Sequence, residues 1–367
     1  MMGKKSNGQR SIIRAAAQHG GARSTHALKL AVGNDLLGWL HDSGETVRRV
    51  REVDASQVGR YLRWRADPGV VKDGRRKRKG CNEAALANIL SLIRVLIRTD
   101  GGNPDAAGIT RKNLEIKSRA RVGVKMPIGL QQFEDIVQEA RRRGWEGLAL
   151  SLELERYLGL RALESMCCAS ALAEFARRIG RAMAEARRRE QREGSAGKPF
   201  VENNLRDVAL RVVDGTKGGR TRETWLLHTH IQTTWRVISE SLEYAASHGG
   251  HLIQGPGKNL KSARSMYHRQ CRELGLIGKL APHAMRYRYA VDLMGELQSR
   301  GWTRTEILAR TAQALGHGTS RHRWIKSVYG ATMMSQLPPP EKRTNALARL
   351  AWEVEELAQG ILRSDGT

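Results

Sequence analysis

Apolar residues recur at helical spacing over most of the chain. Leu28, Leu30, Leu36, Leu37 and Leu40, with Trp39 beside them, predict one helix, and Val53, Val58, Tyr61, Leu62 and Trp64 continue the face. Asp54-Ala55-Ser56 reads as a helix start, because short polar side chains accept from the free backbone N–H groups there. Ala84 to Arg98 carries Leu86, Ile89, Leu90, Leu92, Ile93, Val95, Leu96 and Ile97, the pattern of a heavily buried helix, and Gly101-Gly102-Asn103-Pro104 ends it. Residues 25–118 are therefore expected to form a small bundle of about four helices.

A second helical region begins after Pro127, with Phe133, Ile136, Val137, Trp145, Leu148 and Leu150 at 3.6-residue spacing. It leads into Leu152–Leu163, an apolar helix with Arg161 inside it. The Ala/Arg-rich stretch at about 171–193 predicts an exposed helix. The pattern then changes to period two: Val208, Leu210 and Val212 alternate with Asp207, Ala209 and Arg211. Asp214-Gly215 and Gly218-Gly219 flank a turn, and Glu223, Trp225 and Leu227 lie on the returning segment. This is the signature of a β-hairpin with Lys217 at its tip. Helices resume near Ile231. Pro338-Pro339-Pro340 interrupts them, and Leu347, Leu350, Ala351, Val354 and Leu357 predict a last amphipathic helix. No repeat of fixed period is present. The expected fold class is mainly α with a small antiparallel β-sheet, an α+β chain.

Charge narrows the function. The 367 residues include 63 Lys and Arg against 37 Asp and Glu, a formal net charge of +26. Such an excess opposes compaction and points to a polyanionic partner, with double-stranded DNA the leading candidate. An acidic membrane surface is the alternative, but no apolar run approaches the ~18 residues of a transmembrane helix, and the basic N-terminus lacks the apolar core of a secretory signal. Residues 1–24 carry Lys4, Lys5, Arg10, Arg14 and Arg23 and no acid, and read as a flexible basic arm. The run at 72–80, KDGRRKRKG, supplies Arg75, Arg76, Lys77, Arg78 and Lys79, either as a solvated loop or as a contact to the DNA backbone. Arg220 and Arg288 are further candidates for that contact. Cys81, Cys167, Cys168 and Cys271 lack metal-ligand spacing, so they are expected to be reduced thiols in an intracellular protein, with no metal site and no cofactor.

The candidate chemistry lies in short motifs. His283 and Arg286, three apart after Pro282 at a helix start, share one face. An arginine fork can bind two phosphate oxygens and the imidazole can move a proton near neutral pH, although such a pair taken alone is more often ordinary surface. His317 sits between Gly316 and Gly318, where backbone can approach a ligand closely. Tyr329 follows Arg321, Arg323 and Lys326, cations that would favour a phenolate, although most tyrosines are core residues. Arg161 needs a buried partner, and Glu164 one turn on can supply it, as an ion pair or as part of a site. Lys217, in a Gly-rich turn, could act as a general acid, and its surroundings lack the spacing of a nucleotide-binding loop.

The order of these pieces is more specific than any one of them. An Arg in GLRALE, a Lys on a hairpin in TKGG, PHAMR, LGHG and a late Tyr resemble, over about 125–335, the tyrosine recombinase (phage integrase) family. The resemblance implies a helical core-binding domain at 25–118, a linker at 119–127, a catalytic domain at 128–335 carrying the 171–193 helix as an insertion, and a C-terminal tail helix within 336–367. It implies that Arg161 and Arg286 clamp the scissile phosphate, Lys217 protonates the leaving 5′ oxygen, His283 assists Tyr329, His317 contacts the phosphate and Glu164 supports Arg161. Tyr329 would form a 3′-phosphotyrosine link, without metal or ATP.

By the same resemblance the protein would act as a homotetramer on DNA. Accessory DNA-bending factors and a bacterial or phage cytoplasm, at the nucleoid, are expected with it. His317 to Tyr329 spans 12 positions, about one helical turn more than is usual in the family, and no other tyrosine follows His317. Tyr287 stands where the family often has histidine and is the nearest competitor as nucleophile. Two other readings stay open: a type IB topoisomerase-like strand relaxer, and a non-catalytic DNA-binding or architectural protein.

Overall fold

The computed structural model of the chain describes residues 7–19, 23–67, 80–117, 126–193, 209–216, 219–318, 325–326 and 329. The chain divides into two compact units, Met1–Ala120 and Arg121–Thr367. Among the described residues the structure is helical apart from one two-stranded antiparallel sheet. No described helix is long and apolar enough to cross a membrane. The 72–80 run up to Lys79, Lys217, most of the 119–127 stretch and the expected tail helix lie outside the described residues.

The first unit packs α1 (Asn7–Gln18), α2 (Arg23–Asp42), α3 (Ala55–Ala66) and α4 (Glu83–Thr99) around one core. The basic N-terminal arm is corrected here, because residues 7–18 are a helix of the bundle. Ile12, Ala15 and Ala16 fall on one helical face and are fully buried, while Arg10 and Arg14 stay exposed on the other. Polar contacts also hold α1 in place: Ser11 donates to Asp100 at 2.9 Å, and the Val50 N–H donates to Ser11 at 3.0 Å. The expected helix start at Asp54 is present, and its carboxylate accepts from the Gln57 N–H at 2.8 Å.

The second unit is built on α5 (Leu130–Arg142), α6 (Glu146–Tyr157), α7 (Ala162–Cys167), α8 (Ala169–Glu193), β1 (Ala209–Val212), β2 (Arg222–Trp225), α9 (Ile231–Ser247), α10 (Leu260–Glu273), α11 (His283–Ser299) and α12 (Arg304–Ala314). α6 is central and is buried on all sides. Leu148, Leu150, Leu152 and Leu154 fill the core, and the charged residues between them are paired. Glu153 accepts from Arg141 at 2.7 Å and from Arg236 at 2.8 Å, and Arg156 meets Asp292 at 2.6 Å.

Two expectations change in this unit. The apolar helix 152–163 is two elements: α6 ends at Tyr157, Gly159 takes a left-handed φ of +59°, and Arg161 is the extended residue that starts α7. A side chain at 159 would also collide with the Tyr289 ring, since an added Cβ lies 2.4 Å from its Cδ1. The Ala/Arg-rich helix is not simply exposed. Leu172, Phe175 and Ile179, one turn apart, are buried in the core, with Glu174, Arg177 and Arg178 outward.

The hairpin pairs Ala209 with Trp225, Leu210 with Thr224, Arg211 with Glu223, and Val212 with Arg222. Arg211 and Glu223 face solvent together, whereas Arg222 and Thr224 face inward. α11, α12 and Trp225 of β2 enclose a second apolar cluster containing Tyr289, Leu293, Ile307, Leu315, Ile325 and Tyr329. Tyr289 ties α11 to β2 by a 2.9 Å hydrogen bond with Thr224 and by donating to the Trp225 carbonyl at 3.0 Å.

Candidate active site

The turn between α6 and α7, strand β2, the start of α11 and the end of α12 meet at one place, and each contributes a polar group. Glu164, in the first turn of α7, is fully buried. It accepts from its own turn's Arg161 N–H at 2.7 Å and from the Arg161 guanidinium at 2.5 Å. Arg222 reaches it from β2, with Nη2 at 2.6 Å and Nε at 3.2 Å from each oxygen. The Arg286 guanidinium, from the first turn of α11, lies 3.7 Å away.

The same three arginines hold main-chain oxygens. Gly159 O accepts from Arg286 at 2.5 Å and from Arg222 at 2.9 Å. At the C-terminal end of α12, where free carbonyls carry partial negative charge, Leu315 O accepts from Arg161 at 3.0 Å and from Arg286, and Ala314 O accepts from Arg222.

Electrostatically the cluster has an unbalanced excess. Three guanidinium groups face one carboxylate, and the side chains of Arg222 and Arg286 are almost wholly enclosed while that of Arg161 is 23% exposed. Burial alone would raise the Glu164 carboxyl, but the Arg222 hydrogen bond and the charges of Arg222, Arg286 and Arg161 hold it at about 2. Burial, followed by the charges of Arg222 and Arg161, lowers Arg286 to about 10, against Glu164 and Tyr329. An arrangement of this kind is stabilised by an anion arriving at its open side.

Beside the arginines lies a tyrosine–histidine pair. The Tyr329 hydroxyl is 3.0 Å from His283 Nε2, and the ring is buried. Tyr287 stacks on it, with ring centroids 4.3 Å apart and planes at 30°, and the His317 ring centre is 6.1 Å away. A neutral phenol becomes a nucleophile when a base in hydrogen-bond reach takes its proton, and His283 is within that reach.

The structure thus gathers Arg161, Glu164, His283, Arg286, His317 and Tyr329. Lys217 lies outside the described residues, as do Arg75, Arg76, Lys77, Arg78 and Lys79. Two residues before Lys217, Gly215 (φ +70°) packs against Leu163 and Glu164, where an added Cβ would lie 2.4 Å from Leu163 O. Arg220 is exposed on the hairpin. Arg288 is held by Asp292 at 2.9 Å in a group that includes Arg156. The spacing from His317 to Tyr329 does not keep the two rings apart.

Arg222 belongs to this cluster and is missed by the sequence reading. The period-two pattern carried the signal: an arginine at an inward strand position needs a buried anion. Aligning the return strand on Glu223, Trp225 and Leu227 concealed it.

Residues 115–292 match the integrase family. No match is found among curated proteins. Among solved structures the chain is similar to the XerA recombinase, with a TM-score of 0.32 and 12% identity, covering 91% of this chain and 99% of that one. It is also similar to a lambda integrase dimer bound to a COC′ core site, with a TM-score of 0.44 and 14% identity, covering 86% of this chain and 75% of that one.

Proposed function

We propose that this chain, whose residues 115–292 match the integrase family, is a tyrosine recombinase: a site-specific DNA recombinase that cuts and rejoins strands through a 3′-phosphotyrosine. The observation that carries this reading is the Tyr329 hydroxyl at 3.0 Å from His283 Nε2, next to three arginines that share one carboxylate.

In this reading Arg161 and Arg286 bind the non-bridging oxygens of the scissile phosphate, where charge grows in the transition state. Arg161, the most open of the three, meets it first. Tyr329 Oη attacks phosphorus while His283 Nε2 accepts the phenolic proton. The bond to the 5′ oxygen breaks, and Lys217 delivers a proton to that oxygen. The 5′ hydroxyl of a second strand then attacks the phosphotyrosine, and tyrosine leaves with its proton restored. Each step exchanges one phosphodiester for another, so the bond energy is conserved and no nucleotide is hydrolysed. His317 contacts the same phosphate. The partner is double-stranded DNA, which the net charge of +26 favours, and the working assembly is a homotetramer on two duplexes.

The test is covalent trapping. The protein is incubated with duplex from the flanks of its own element, nicked so that the cleaved strand diffuses away, and run on denaturing gels. An adduct lost in Tyr329→Phe supports the reading. Tight binding without adduct would make this a DNA-binding protein, and relaxation of supercoils that lack paired sites would make it a topoisomerase.

A further inference from the structure

We propose that Arg222 is a positioning residue of this site: it fixes the Glu164 carboxylate and the last turn of α12, and through them sets the aim of Arg161 and His317. The proposal rests on the recombinase reading above. The side chain of Arg222 is 3% exposed, so it does not reach an incoming phosphate. All three of its nitrogens are engaged by the protein. Nε and Nη2 hold Glu164, Nη2 also donates to Gly159 O, and Nη1 donates to Ala314 O.

These partners come from three separate stretches of chain: the α6–α7 turn with its glycine, the first turn of α7, and the end of α12. Each stretch carries a functional side chain close by. Glu164 holds the backbone N–H and the guanidinium of Arg161. Ala314 O lies three residues before His317, whose N–H is tied back to Ala312 O at 2.8 Å.

The glycine before His317 fits the same role. Gly316 has a φ of +61°, and a Cβ there would lie 2.5 Å from Arg222 Cδ and 3.5 Å from Arg161 Nη1. The helix end can approach the arginines only because that position lacks a side chain. The Arg222 hydrogen bond is also the main interaction that keeps Glu164 ionised against its burial. Losing it leaves a buried carboxylate facing fewer cations, and its proton affinity rises.

The experiment measures the single-turnover rate of adduct formation on nicked duplex for wild type, Arg222→Gln and Arg222→Lys, across pH, beside the salt dependence of duplex binding. Circular dichroism and melting establish that each variant is folded. The expected result for Arg222→Gln is a rate lower by about 100-fold, the scale of a misplacement of about 1 Å. The acid limb of its pH profile moves toward neutrality, and Arg222→Lys recovers part of the loss. The slope of log affinity against log salt stays at the wild-type value, because no phosphate contact is removed.

A folded Arg222→Gln with the wild-type rate overturns the proposal, as does an unmoved acid limb. A slope reduced by about one also overturns it, since that marks a direct phosphate contact. Should Arg222→Gln not fold, Arg222→Lys carries the same comparison. Absence of an adduct with wild-type protein removes the recombinase reading and this one together. A wild-type adduct with indifferent variants removes this one alone.

Discussion

In the proposed mechanism a phenol in a cationic site still needs a base, and the position of His283 favours one tyrosine over the other. Tyr329 has His283 Nε2 at 3.0 Å. Tyr287, the competitor in the sequence, lies with its ring on that of Tyr329. Tyr287→Phe keeps this stack, so the adduct should persist within a few-fold of wild type in the trapping assay, whereas Tyr329→Phe should form none.

Buried carboxyls set the response of stability to pH. Burial pushes Glu155 up to about 8, although Tyr267, at 2.6 Å, and Ser165 donate to it. Between its ordinary 4.5 and about 8 the folded protein keeps a proton that the unfolded chain releases. The stability this group contributes is full below about 4.5 and is lost as pH rises through about 8. Glu164 runs the other way, with its contribution present above 4.5 and lost as pH falls through about 2. Glu155→Gln should flatten the decline between 4.5 and 8 in denaturant midpoints, and a decline that persists would assign it to another group. Residues at this scale are legible where a motif marks them, as for Arg161, His283 and Arg286, which the structure brings together. Arg222 and Glu155 act through burial, which single letters do not report.

Among elements, long apolar periods and cap residues could be read directly, and boundaries near charge could not. The α4 helix and the Asp54 cap follow from their residues. Asp54→Ala should cost about 1 kcal/mol in the first unit, read by denaturant unfolding. The charge of the N-terminal segment points to a solvated arm, although Ile12, Ala15 and Ala16 bury one face. The arginines of α8 likewise point to an exposed helix, although Leu172, Phe175 and Ile179 anchor it. In both, a narrow apolar stripe outweighs the solvated cations on the other face. The α6–α7 break was hidden because Leu158, Gly159 and Leu160 continue the apolar run, and only the left-handed φ of Gly159 divides it. Gly159→Ala should therefore destabilise the second unit by ~1–3 kcal/mol from backbone strain, with more from the Tyr289 contact. It should also slow adduct formation, since Gly159 O accepts from both Arg286 and Arg222.

For the whole molecule, the charge of +26 predicts that duplex affinity falls by about 10³-fold or more between 50 and 200 mM salt, if six or more phosphates are contacted. Fluorescence anisotropy at stepped salt would show it, and a flat response would remove phosphate neutralisation as the source of binding. One contact has a genetic consequence as well. The Tyr329 hydroxyl meets His283 of its own chain, and Arg161 and Arg286 come from that chain too. In the proposed assembly, a subunit that lent its tyrosine to a neighbour would undo its own site. Two inactive alleles, Tyr329→Phe and Arg161→Ala, expressed in one cell should then fail to complement, and strand cleavage restored in the mixture would mean that the tyrosine is shared between subunits.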